Sequence, residues 1–312
     1  MLHRDRRALR PLLWARCLLL AALVSVLAGF AVHASELEGF PRTVVDGLGK
    51  EIELLAPPQR IFSTALAVDN VLLALVEPER VVGVTRFAQD PEQSYVVDKL
   101  RDHMVILDSL NAELVVATNP DIVLAASWNN PDEVRLIEDL GYPVYIFTGF
   151  STVQDALDLV RRVGEITGED EAAAQLIDAF WQQYADIARR IEGRERPAVL
   201  VWDTWSTTTG LNTSMHDIIE MAGGINLAAV HGIEGWQTID AEAIIAMAPE
   251  VIVTYESEEF VERVLNDPAL QSVPAVQSGR VYTIDHAESA THHVILAVRQ
   301  LAELLHPEAF EP

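Results

Sequence analysis

Of the 312 residues only one is cysteine, Cys17. A chain so poor in thiols holds no disulfide framework, and beyond residue 17 it offers no thiol nucleophile and no thiolate ligand for zinc or an iron–sulfur cluster. Positive charge is scarce as well: 22 Lys and Arg stand against 47 Asp and Glu, a net charge of −25. Binding to nucleic acid needs a basic face to neutralise phosphates, so no nucleic-acid partner is expected. Glycine (16) and proline (15) are at ordinary levels, which excludes collagen-like and low-complexity chains. Catalytic signatures are missing too. The sequence has no Gly-x-Ser-x-Gly elbow, no phosphate-binding P-loop, no Gly-x-Gly-x-x-Gly and no His-Glu-x-x-His. The expectation is therefore a protein that is not an enzyme and carries no cofactor of its own.

What charge there is lies unevenly. Residues 1–34 hold five arginines (Arg4, Arg6, Arg7, Arg10, Arg16) and one acid, Asp5; the remainder has 17 basic and 46 acidic residues. The basic start is followed by an apolar run over 17–32, then Val32-His33-Ala34 before Ser35. That pattern reads as a secretory signal peptide. The run is short of the roughly 20 residues a membrane-spanning helix needs. Cys17 stands at the start of the run and not at its end, unlike a lipid-attachment cysteine. An exported, periplasmic or otherwise extracytoplasmic protein is expected, tethered to the membrane only if the segment is kept.

Past the signal, residues 43–52 read as a hairpin about a Gly-containing turn. Strand signals at 60–63, 80–84, 104–107, 121–125 and 144–147 alternate with helical patterns at 68–76, 111–118 and 131–140. Short apolar runs separated by helices imply a parallel sheet covered on both faces. Residues 152–192 contain no strand signal. Gly168 divides them into a shorter and a longer helix, and 169–192 would extend about 36 Å at ~1.5 Å per residue. Alternation then resumes, with strands at 198–202, 250–254 and 280–284 and helices at 214–221, 241–247, 259–265 and 291–305. The predicted organisation is a signal over 1–34, an α/β lobe over 35–151, a helical link over 152–192 and a second α/β lobe over 193–312.

An internal repeat relates the lobes. Residues 110–124, LNAELVVATNPDIVL, align with 239–253, IDAEAIIAMAPEVIV, with four of 15 positions identical and eight more close. Each unit reads as helix, Pro-containing turn and buried strand. Asn111 and Asp240 are good N-caps, which puts Glu113 and Glu242 in first helical turns. There a carboxylate complements the helix dipole for about 0.3–1 kcal/mol. The same two residues are also a matched pair of surface carboxylates, one per lobe, able to engage arginines on a partner.

Aromatic residues gather at predicted strand ends. Trp128 follows 121–125, Trp205 follows 198–202, Tyr255 follows 250–254, and Trp236 precedes the Asp240 cap in a predicted loop. Ligands of open α/β sheets bind outside the carboxyl ends of strands, and aromatic side chains there suit a flat or bulky ligand. Arg86, just after 80–84, is the one basic residue placed near that cleft. His286, His292 and His293 cluster after the last strand. Adjacent histidines on a helix point apart, so His292 and His293 are not expected to share one ion.

The chain resembles the periplasmic binding proteins that serve ABC importers of iron–siderophore complexes, cobalamin and haem. The residues that carry the resemblance are Thr43-Val44-Val45-Asp46 with Pro58-Gln59-Arg60-Ile61, Val81-Val82-Gly83-Val84, Asn119-Pro120-Asp121-Ile122-Val123, Met221-Ala222-Gly223-Gly224-Ile225-Asn226, Ala275 to Tyr282, and Leu305-His306-Pro307-Glu308. Together they cover nearly the whole chain after residue 34. The resemblance implies an α/β fold of two Rossmann-like lobes bridged by a single long rigid α-helix, with a metal chelate bound between them. It implies docking on the importer permease through one glutamate per lobe, matched by Glu113 and Glu242, and a monomer. Trp128 and Trp236 fall where cobalamin binders carry pocket tryptophans. The sequence departs from the family at Thr291-His292-His293, where Ser-Pro-Arg or Gly-Pro-Arg is common, and at His286, where cobalamin binders have an aromatic residue. The expected ligand contacts are Trp128, Trp205, Trp236, Tyr255, Arg86, His286 and His292. With Arg86 the only cation placed there, a neutral or weakly charged chelate is easier to hold than a highly anionic one. Haem, with Tyr255 or a histidine as axial ligand, is a further candidate. The alternatives are a bare transition-metal-ion binder using His286 and His292, and a chelatase-like enzyme on the same fold.

Overall fold

The computed structural model describes residues 39–284 and 290–311. The expected signal segment, Cys17 and His286 lie outside the described residues. Among those described, no helix is long and apolar enough to cross a membrane.

The chain opens with an antiparallel pair, β1 (Arg42–Val45) and β2 (Glu51–Leu54). Val44 faces Ile52 across it, both are buried, and their neighbours along the strands are exposed. Then follow β3 (Ile61–Ser63), α1 (Leu66–Leu75), β4 (Val81–Thr85), β5 (Val105–Leu107), α2 (Ala112–Ala117), β6 (Ile122–Ala126), α3 (Pro131–Asp139) and β7 (Val144–Phe147). All five strands from β3 to β7 run parallel in the order β5-β4-β3-β6-β7. β3, β4 and β6 are buried at every position, as continuous apolar strands in a sheet covered on both faces must be. The strand order reverses between β3 and β6, so the ends of these two strands flank the crevice where such sheets take ligands.

Two helices come next, α4 (Val153–Thr167) and α5 (Asp170–Ile191). A capping box between Thr152 and Asp155 starts α4, and Gly168 at φ +82° ends it, a left-handed position that glycine adopts without penalty. The two residues Gly168 and Glu169 turn the chain back, so α5 packs against α4. Leu159, Val160, Val163 and Ile166 of α4 and Ala173 of α5 join the core under the N-terminal sheet. Val153 and Leu157 of α4 and Phe180 and Ile187 of α5 join the core of the C-terminal half. α5 is thus the long helix expected between the lobes, and the shorter α4 packs along it, each touching both cores. Gly164 permits the pairing: a Cβ there would stand 2.5 Å from that of Ala173.

The C-terminal half contains β8 (Ala198–Val201), β9 (Thr207–Thr209), α6 (Ser214–Met221), β10 (Ile225–Asn226), α7 (Leu227–Val230), β11 (Trp236–Thr238), α8 (Ala241–Met247), β12 (Val251–Thr254), α9 (Glu258–Asn266), α10 (Pro274–Gln277), β13 (Val281–Thr283) and α11 (Val294–Leu305). Its main sheet is parallel, in the order β10-β8-β12-β13, and the order reverses between β8 and β12. A separate antiparallel pair joins β9 to β11.

The repeat is structural. α2 and α8 carry side-chain caps from Asn111 and Asp240. Each unit then passes through a left-handed residue, Asn119 at φ 49° or Ala248 at φ 50°, before its proline and strand. The acidic residue after each proline does the same work. Asp121 accepts hydrogen bonds from the Gln59 and Arg60 amides, and Glu250 accepts one from the Ala198 amide, so each carboxylate holds the start of the neighbouring strand.

Candidate functional site

At the reversal of the N-terminal sheet lies a hollow of about 370 Å³. Thr64 after β3, Thr85 and Phe87 at the end of β4, Leu107 to Leu110 after β5, and Trp128, Asn129 and Asn130 after β6 line it. Trp128 is 61% exposed and its ring leans edge-on against Phe150, centroids 4.4 Å apart. The wall is aromatic and apolar on one side and carries neutral polar groups on the other. Asp108 is the one charged side chain among the lining residues. Arg86 is exposed beside the hollow, its guanidinium 4.7 Å from the centre of the Phe87 ring.

Two residues that sequence reasoning missed support this floor. Asp69 and Asn70 are fully buried on α1. Asp69 accepts the Thr85 amide at 3.0 Å and its hydroxyl at 2.6 Å. Burial pushes the Asp69 carboxyl up to about 7, against the opposing effect of hydrogen bonds from Ser63 and Thr85. Asn70 accepts the Tyr95 amide at 2.9 Å and donates to the Leu66 carbonyl at 3.1 Å. A polar Asp-Asn pair inside the otherwise apolar LAVDNVLLAL helix was the signal that could have identified them.

Tyr95 leads across to the other half. Its ring stacks on His293, centroids 3.9 Å apart and planes 11° from parallel. His292 lies against His293 at 4.1 Å. The sequence placed both histidines on the last helix, pointing apart; the helix begins only at Val294, and in the turn before it the two rings adjoin. Burial, then Lys99, holds His292 down to about 4. Burial, then His292 and Lys99, holds His293 down to about 3. Both imidazoles are therefore neutral at pH 7. The bridge is tied to the C-terminal half by the Val153 amide at the head of α4, which donates to Asp217 of α6 at 2.9 Å.

The predicted aromatic residues of the C-terminal half divide. Trp236 and Tyr255 lie together, ring centres 6.1 Å apart. Trp236 was expected in a loop, but it opens β11, whose pairing with β9 sets its position. Tyr255 directly follows β12. Burial, then the charges of Asp203 and Glu256, raises its phenol above the ordinary range, which works against an iron-bound phenolate. Trp205 is 81% exposed on the loop after β8. Asp203 fixes that loop by accepting the amides of Trp205 and Thr207, both at 2.9 Å. His292 stands apart from these aromatic residues, with the Tyr95 stack. No group of three His, Cys, Asp or Glu among the described residues could hold a metal ion.

Glu113 and Glu242 are exposed in the first turns of α2 and α8. The exposed apolar residues Leu114 and Ile245 accompany them.

Comparison with known proteins gives this geometry a context. The family model described as periplasmic binding protein matches residues 61–288. An uncharacterized ABC transporter substrate-binding lipoprotein of Bacillus subtilis (strain 168) is 27% identical, over 96% of this chain and 98% of its own. A cobalamin-binding protein of Halobacterium salinarum is 25% identical over 86% and 74% of the two chains. A ferric enterobactin-binding periplasmic protein of Escherichia coli O6:H1 is 27% identical over 88% and 92%. Among solved structures, a possible iron-binding (periplasmic solute-binding) protein of Staphylococcus epidermidis superposes with a TM-score of 0.71 at 19% identity, over 80% of this chain and 98% of the other. At that identity the likeness speaks for the fold.

Proposed function

The chain belongs to the periplasmic binding protein family, and from that premise we propose that it is an extracytoplasmic receptor carrying one bulky metal chelate, an iron–siderophore complex or a corrinoid, to the permease of an ABC importer. The protein performs no catalytic step. In this reading residues 35–151 and 193–312 are the two lobes, 152–192 their helical link, and 1–34 a signal for export.

The observation that carries the reading is the hollow at the N-terminal sheet reversal, walled by Trp128 and Phe87 and free of lining cations. A second aromatic surface, Trp236 with Tyr255, stands in the other half, and Trp205 extends from the loop after β8. Large aromatic faces hold a bulky apolar chelate through area, and few polar groups then fix its orientation. Arg86, His286 and His292 would add polar contacts from the rim.

Docking falls to Glu113 and Glu242. Their helices match in cap, in left-handed exit and in the strand that follows, so the two carboxylates are presented alike. Exposed ion pairs contribute only about 0–1 kcal/mol each, and the pair would set orientation and encounter rate.

Two experiments test the reading. Protein purified from its own host is examined by native mass spectrometry and visible absorption, where a corrinoid, a haem and a ferric hydroxamate each absorb differently; a colourless protein that binds none of them in titration would overturn it. Glu113→Arg combined with Glu242→Arg should leave chelate affinity unchanged and stop transport. Loss of ligand binding in step with transport would remove the docking role.

A further inference from the structure

The polar wall of the hollow has a defined hydrogen-bond sense. Asn129 Oδ1 accepts the Ala126 amide at 2.7 Å and the Thr64 hydroxyl at 2.8 Å. Asn130 Oδ1 caps α3 by accepting the Asp132 amide at 3.0 Å. These donors settle which end of each amide is oxygen, since a flipped amide would set N–H against N–H. The Nδ2 group of each residue is left without a protein partner among the described residues, and both residues line the hollow. At the end of β4, Thr85 has given its hydroxyl hydrogen to Asp69, so its oxygen can only accept. Asp108 adds a carboxylate, also an acceptor and the only charge among the lining residues.

The loop after β6 thus offers amide donors and the ends of β4 and β5 offer acceptors, with Asp108 the only charge among the lining residues. A ligand that satisfies both sets presents carbonyl oxygens to the asparagines and N–H groups to Thr85 and Asp108. An uncharged ligand fits best, because no cation among the lining residues pairs an anion brought against Asp108, and the Arg86 guanidinium at the rim lies over the Phe87 ring. Carboxamide groups on the rim of a chelate supply both halves of that pattern.

Resting on the receptor reading above, we infer that Asn129 and Asn130 are specificity-determining residues that select an uncharged, carboxamide-rimmed chelate over an anionic one. The Asn→Asp exchange tests this cleanly. Asn129→Asp keeps the oxygen that Ala126 and Thr64 need and replaces only the group facing the hollow. Asn130→Asp keeps the helix cap, for which Asp serves as well as Asn.

Wild-type protein and each variant are titrated by tryptophan fluorescence with cyanocobalamin, an uncharged carboxamide-rimmed chelate, and with ferric enterobactin, an anionic one. The wild type should bind cyanocobalamin more than about 10-fold tighter than ferric enterobactin. Asn129→Asp should weaken cyanocobalamin about 10–100-fold, the loss expected when a donor is replaced by a charged acceptor in a partly buried site. Asn130→Asp, more exposed, should weaken it less, with melting temperatures close to wild type in both. A wild-type preference for ferric enterobactin, or cyanocobalamin affinity unmoved in both variants, overturns the inference and leaves the receptor reading standing. Failure of the wild type to bind either chelate or a neutral ferric hydroxamate overturns both.

Discussion

At the scale of single residues, the two repeat units expose one asymmetry. Asn119 and Ala248 occupy the same left-handed turn, at φ 49° and 50°. Asparagine visits that region readily, whereas for alanine it costs about 1–2 kcal/mol. Ala248 is exposed, so its methyl group loses little packing if removed. Ala248→Gly is expected to raise stability by about 0.5–1 kcal/mol, and Asn119→Ala to lower it by about as much; urea unfolding of both variants reads the two signs. Asp69 poses a different residue-level problem. Its carboxyl is raised to about 7 in the fold from 3.8. The folded protein therefore holds this proton where the unfolded chain has released it. Its contribution to stability is full below about pH 3.8 and is lost as pH rises to about 7. Asp69→Asn removes that loss while keeping an oxygen for Thr85. The variant should gain stability relative to wild type as pH climbs from 4 to 7, and thermal melts across that range give the slope.

At the scale of elements, legibility followed burial pattern. The strands of the N-terminal sheet and α6 and α8 could be placed from periodicity because each buries a continuous run or a clear stripe. β9, β10 and β11 could not, since two or three residues carry no period, and Trp236 was accordingly read as a loop residue. The long helix was visible, but its partnership was not: nothing local says that α4 lies along α5, because the contact depends on Gly164 meeting Ala173 across the turn. That contact is testable. In an isolated helix Ala would be preferred to Gly by about 1 kcal/mol. Here its Cβ would stand 2.5 Å from Ala173 and 3.0 Å from the Glu169 carbonyl. Overpacking of this kind costs about 1–3 kcal/mol, so Gly164→Ala should destabilise despite the better propensity, seen as a lowered denaturant midpoint. The site was half legible for a similar reason. Trp128, Trp205 and Tyr255 could be placed after strands because strand ends are predictable, and of the three Trp128 lines the hollow. Asn129 and Asn130 were passed over, although an Asn before Pro131 is a helix-start signal, because an N-cap explains only one end of its side chain.

At the scale of the whole molecule, the halves are joined by the helical pair, which Val153 anchors to Asp217 of the C-terminal half, and by the stack of Tyr95 on His293. Two joins on different elements leave little freedom to hinge, so small-angle scattering of free and loaded protein should differ by no more than a few degrees of lobe rotation. The aromatic link is also the acid-sensitive one. His292 and His293 are held down to about 4 and about 3, so the fold refuses protons that the unfolded chain accepts below its ordinary 6.5. Their contribution to stability is intact above 6.5 and is lost as pH falls towards 4 and then 3. Asp69 changes in the opposite sense over an overlapping range, and the wild-type curve alone would hide both. His293→Phe separates them. The phenyl ring keeps the stack on Tyr95 and takes up no proton. Melting temperatures measured against pH should show His293→Phe gaining on wild type as pH falls from 6.5 to 4, while Asp69→Asn loses its advantage over the same interval. Parallel curves for wild type and His293→Phe would mean that protonation of this imidazole has no part in how the two halves hold together.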